Sequence, residues 1–86
     1  MKLLELPEGM VSLEFEPSER DHVIERLKKF GSFRRHPQAT FVKVSVGREQ
    51  FIYENEWDDP CFISTSVAGA NLLRQLAVKP ARNRAA

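Results

Sequence analysis

Cysteine is nearly missing from this chain: Cys61 is the only one in 86 residues. A lone thiol has no internal partner, so no disulfide staples the fold, and with His22 and His36 scattered the paired spacing of a structural zinc site is missing too. No run of about 18 apolar residues occurs, which excludes a membrane-spanning helix. The opening segment Met1-Lys2-Leu3-Leu4-Glu5-Leu6-Pro7-Glu8-Gly9 carries charge where a secretory signal needs a continuous apolar stretch. These absences together give the expectation of an intracellular, cytoplasmic protein with no membrane partner. Glycine is scarce, at four residues, and the glycine pattern of a phosphate-cradling P-loop is absent.

Acidic residues are missing from one end. All twelve precede residue 60, together with nine of the thirteen Lys and Arg, which leaves residues 1–59 at −3 and residues 60–86 at +4 within a total of +1. The small asymmetry suits either a basic end that meets an acidic partner or a solvated tail after the last helix.

What is present is the composition of one ordinary globular domain, 42% hydrophobic and 29% charged. A domain of this length buries only roughly 60% of the surface its unfolded chain exposes, so turns, caps or a partner must supplement a modest core. The clearest segment is Phe41-Val-Lys-Val-Ser-Val-Gly-Arg-Glu-Gln-Phe-Ile-Tyr-Glu54. With Gly47-Arg48 as a two-residue type II′ turn, Val44 stands opposite Phe51 and Val42 opposite Tyr53. One face of that hairpin then carries Val42, Val44, Val46, Phe51 and Tyr53. The other carries Phe41, Lys43, Ser45, Gln50, Ile52 and Glu54, so the pattern predicts a sheet with a core side and an outer side.

Leu3 to Leu6 and Val11 to Glu16 flank Pro7-Glu8-Gly9, which predicts a first hairpin. Val11, Leu13 and Phe15 share one face of its second strand, and Ser12, Glu14 and Glu16 the other. From Pro17 to Gly31 the chain predicts a helix capped by Ser18, acidic at its start, basic at Lys28 and Lys29, and presenting Val23, Ile24, Leu27 and Phe30 as an apolar stripe. Ser32 to Thr40 is expected as a polar loop. After a break at Glu54 to Pro60 come a short strand, Cys61 to Ser64, and a helix, Val67 to Val78, capped by Ser66 or Thr65, with Gly69 allowing close packing along a Leu72, Leu73 and Leu76 seam. Pro80 ends it. Residues 1–79 are therefore expected as a single α+β domain and 80–86 as a flexible basic tail.

The order ββαβββα predicts a two-layer sandwich, an antiparallel sheet of about five strands with two helices on one face. Strand order does not follow from it.

Reactive groups do not converge anywhere. Glu54, Glu56 and Asp58 alternate near Asp59, yet no calcium-loop glycine accompanies them, and an acidic sheet edge that resists edge-to-edge pairing explains the same residues. Cys61, beside Phe62 and Ile63, reads as a small buried hydrophobe rather than a nucleophile served by His22 or His36. The hydroxyls of Ser64, Thr65 and Ser66 lie at a strand-to-helix junction, where capping explains them without an anion. No metal, no cofactor and no catalytic residue is assigned, and an enzyme built on Cys61 or the acidic turn ranks third among the functional expectations.

The first expectation is a small non-enzymatic protein-interaction module that binds a partner protein or a second copy of itself, through Phe33, Phe41, Ile52 and Trp57. These apolar side chains come from the outer hairpin face and the segments beside it. The second is a nucleic-acid-binding accessory protein that uses the Arg34 and Arg35 loop together with the basic end, Arg74, Lys79, Arg82 and Arg84. Against it stand Glu14 and Glu16 on the outer sheet face and the lack of a helix-turn-helix or RNA-recognition motif.

Overall fold

A computed structural model describes residues 1–56 and 59–78, with Glu56 by its backbone alone. Six antiparallel strands form one sheet: β1 (Lys2–Glu5), β2 (Val11–Glu14), β3 (Phe33–Pro37), β4 (Val42–Val46), β5 (Glu49–Glu56) and β6 (Asp59–Ser64). Their spatial order is β1-β2-β6-β5-β4-β3. The last strand thus sits near the middle and joins the N-terminal hairpin to the β3-to-β5 meander. Two helices complete the fold, α1 (Arg20–Leu27) and α2 (Val67–Ala77), which makes it a two-layer α+β domain.

The β4–β5 hairpin has the expected register, Val44 opposite Phe51 and Val42 opposite Tyr53. Gly47 takes a φ of 60° while Arg48 stays out of the positive region, as a type II′ turn requires. Because each pairing keeps alternate side chains on one face, the apolar sets of all strands align. Val11, Leu13, Val44, Val46, Phe51 and Phe62 form the core with Val23 and Leu27 of α1 and Ala70, Leu72, Leu73 and Leu76 of α2. Phe15 and Phe62 stack at 5.6 Å between centroids, and Tyr53 packs against Phe62 at 5.1 Å. Gly69 lets α2 settle onto this layer, since a Cβ there would stand 3.2 Å from the ring of Phe51.

The sixth strand is β3, where the sequence suggests a loop. It pairs with β4 from Phe33↔Val46 to Pro37↔Val42. Its polarity hides it: at the sheet edge only Phe33 meets the core, and arginine, histidine and proline on a free edge are the residues that discourage further strand addition. Strand β6 begins at Asp59, two residues ahead of the sequence expectation, and β1 begins one ahead, at Lys2.

The first helix also differs from its sequence expectation. The stretch from Pro17 opens as a 3₁₀ turn, becomes α-helical only over Arg20–Leu27, and closes as another 3₁₀ turn over Lys28–Phe30. Ser18 is not its cap. Instead the Glu19 carboxylate accepts the Glu16 backbone N–H at 2.9 Å, and this bond holds the Glu19 carboxyl below the ordinary glutamate range. Phe30 leaves the apolar stripe and is 45% exposed. The second helix is capped by Ser66, whose hydroxyl accepts the Gly69 N–H at 2.9 Å and donates to Glu49 at 3.0 Å.

Candidate functional site

With both helices packed on the core side, the opposite face of the sheet is left without a covering element among the described residues. Cross-strand pairing builds that face in rows. One row runs Leu4, Ser12, Ile63, Ile52, Lys43, His36 across all six strands. The next runs Lys2, Glu14, Cys61, Glu54. Leu4, Ile52, Ile63 and Cys61 are each half-buried by their neighbours, and none of them packs against the core cluster.

The charges on this face are uneven. Glu14 and Glu54 flank Cys61, with Lys2 opposite Glu14 on β1 and Asp59 on the same strand as the thiol, whereas Lys43, His36 and Arg34 lie toward the β3 edge. Burial raises the Cys61 thiol pKa above its ordinary value; Ser12 opposes the shift with a hydrogen bond, and Glu54, Glu14 and Asp59 add to it. A thiol raised in this way carries less thiolate at neutral pH and is a poor nucleophile. Cys61 is not the core residue the sequence suggests: alternation along β6 turns Pro60, Phe62 and Ser64 inward, so Cys61 and Ile63 face outward.

Of the four expected contact residues, Ile52 lies on the open face. Phe41 stands one residue ahead of β4, half-buried in a concavity with Val42, Tyr53 and Glu54. Phe33 lies on the helix side instead, edge-on to Phe62 at 6.5 Å and packed against the core. Trp57 is outside the described residues.

The expected basic footprint is divided. Arg34 and Arg35 are successive residues of β3 and so point to opposite faces. Arg74 extends from α2 to β1, at the other edge of the sheet, where its guanidinium meets the Glu5 carboxylate at 2.8 Å. That bond lowers the Glu5 pKa and raises that of Arg74. Lys79, Arg82 and Arg84, and with them the expected 80–86 tail, lie outside the described residues.

At the strand-to-helix junction the hydroxyls have protein partners. Ser64 accepts the buried Val11 N–H at 2.9 Å, Thr65 donates to the Gln50 carbonyl at 3.0 Å, and Ser66 caps α2. No group of three or more His, Cys, Asp or Glu able to hold a metal ion occurs among the described residues, and no described helix is long and apolar enough to cross a membrane.

The hairpin pattern sets Lys43 and Ile52 on one surface, but Leu4 and Ile63 cannot be joined to them from sequence, because they come from strands whose place in the order the pattern does not fix. The usable signal was alternation within β6, which sets Ile63 on the same side as Cys61. Comparison with protein-family models, with curated proteins and with solved structures gives no match.

Proposed function

We propose that the protein is a protein-interaction module that works through the open face of its sheet, with a second copy of the chain as the first occupant. One observation carries this: a six-stranded sheet has both helices on one side, leaving the row Leu4, Ile63 and Ile52 on the other without a covering layer among the described residues. A sheet face of this kind stays in water at a cost, and packing it against another surface recovers roughly 25 cal/mol per Å² of apolar area.

The charge pattern favours self-association over a partner of uniform charge. A two-fold axis lying in the face, near Ile52 and Ile63, lays the Glu14 and Glu54 end of one copy on the Lys43, His36 and Arg34 edge of the other, and the reverse contact follows by symmetry. Cross-linking amines to carboxylates in a mixture of ¹⁵N-labelled and unlabelled protein tests this. Links from Lys43 of one isotope to Glu14 or Glu54 of the other are expected. Links confined to single-isotope pairs would remove self-association and leave a different protein as the occupant.

Nucleic acid is the second reading, supported by Arg34, His36 and Lys43 sharing one side of the β3–β4 edge. It is the weaker one, because Arg35 turns to the other face and Arg74 is paired with Glu5 at the far edge. Salt-sensitive retention on single-stranded nucleic acid that is lost in Arg34→Ala would raise it to first place.

A further inference from the structure

The two helices do not cover the sheet equally. α2 lies along β2, β6, β5 and β1, whereas the eight residues of α1 bury only Val23 and Leu27. Between α1 and the β3–β4–β5 half of the sheet a cavity of about 240 Å³ remains. Its apolar part is made by Ile24 of α1 and by Phe33, Val44, Tyr53 and Phe62 of the sheet. Its lining also includes Arg20, Asp21 and Arg35.

Two features of this cavity are not explained by packing. The first is Arg35, which sits two residues after Phe33 and therefore on the core side of β3, where the strand's periodicity calls for an apolar residue. Neither Arg35 nor Arg20 has a carboxylate within ion-pair distance among the described residues, so Asp21 leaves both guanidinium groups free at the rim. The second belongs to a lining residue, Tyr53, whose hydroxyl is itself shielded from water and has no hydrogen-bond partner among the described residues. A buried hydroxyl is ordinarily paired, and leaving it so is unfavourable.

We propose that this cleft is a binding site for a small molecule that joins a carboxylate to an apolar body. The planar fork of Arg35 matches a carboxylate in two parallel hydrogen bonds, and Arg20 adds a second positive charge at the rim. The aromatic walls take the apolar body, and the volume, below the usual range for drug-sized ligands, limits it to about one ring or a short chain. Asp21 disfavours ligands of higher negative charge.

Benzoate is the probe, with inorganic phosphate as an anion without an apolar body and benzyl alcohol as the body without the charge. In a titration followed by ¹H–¹⁵N NMR, benzoate should shift the amide resonances of Ile24, Phe33, Arg35 and Tyr53 together. Phosphate and benzyl alcohol should each bind about tenfold more weakly or worse, as expected on losing one charge-assisted pair or the apolar contact. Arg35→Gln, at an exposed position that leaves the fold intact, should weaken benzoate by a similar factor and leave benzyl alcohol unchanged. Ile24→Trp, which fills the cleft from above, should abolish both. Absence of saturable benzoate shifts at these residues, or benzoate binding indifferent to Arg35→Gln and Ile24→Trp, would overturn the proposal. Phosphate binding as tightly as benzoate would overturn it as well, in favour of a simple anion site.

Discussion

At the scale of single residues, the fold depends on a few polar groups placed where the ladder ends. Ser64 is 3% exposed, and its hydroxyl takes the N–H of Val11, a residue with no exposure at all. Removing that hydroxyl leaves a buried donor unpaired. Ser64→Ala should therefore lower stability by about 1 to 3 kcal/mol in urea denaturation; a loss within experimental error would mean that water reaches Val11. Glu8 is the opposite case, an exposed residue with a φ of 64°, in the left-handed region that a side chain resists. Glu8→Gly should raise the unfolding free energy by on the order of 1 kcal/mol, seen as a higher urea midpoint, because glycine adopts that conformation freely. The Pro7-Glu8-Gly9 pattern points to Gly9 for the left-handed position, and Glu8 shares it in the structure.

At the scale of elements, what was legible depended on how many neighbours an element has. The β4–β5 hairpin is written in the chain because both of its strands lie inside the sheet and alternate cleanly from Val42 to Tyr53. Strand β3 was not legible: as an edge it needs only Phe33 for the core, and its remaining residues carry the polarity of a loop. The short α1 was over-read for a similar reason. Its caps and charges describe a long helix, but tertiary packing fully buries only Val23 and Leu27, with Ile24 packed at the margin of the core. What joins α1 to the meander is a close approach of backbones: a Cβ on Gly31 would lie 2.6 Å from the Cα and N of Gly47, whose N–H donates to the Ser32 carbonyl at 3.0 Å. Gly31→Ala must push two backbone segments apart. It should cost about 2 kcal/mol or more, as overpacking against atoms that cannot rotate away does, and Ala at this position with wild-type thermal stability would show that the approach is looser than described.

At the scale of the whole molecule, contacts distant in sequence tie one helix to the other and the helices to the sheet. Arg26 of α1 donates to the Leu76 carbonyl of α2 at 2.8 Å, and Arg74 of α2 reaches Glu5 of β1. Neither pairing could be read from local pattern, since each requires knowing which elements adjoin. They also set a pH dependence. Glu5 and Glu19 are held below the ordinary glutamate value of 4.5, the first by the Arg74 hydrogen bond and the second by the Glu16 N–H. A lowered carboxyl stabilises the fold above its unfolded-state value and loses that contribution as pH falls through the folded one. Glu5→Gln should thus reduce stability relative to wild type at about pH 7, and the deficit should shrink as pH falls below 4.5 and through the folded-state value. Added salt should shrink the difference at neutral pH, because the pair is exposed. A deficit that persists unchanged in acid would assign Glu5 a role other than its charge.

Self-association rests on the open sheet face. Its residues are only partly legible in the sequence: Ile52 and Lys43 follow from the hairpin, whereas Ile63, Leu4 and the placing of Glu14 beside Cys61 need the strand order. Sedimentation velocity over a wide concentration range, on the wild type and on Ile52→Asp, tests the face most directly. The chain has a mass of 9.9 kDa. A species of twice that mass should gain population with concentration, and a folded Ile52→Asp variant should stay at the single-chain mass. A wild type that remains monomeric throughout, or a dimer that Ile52→Asp leaves intact, would contradict self-association through this face.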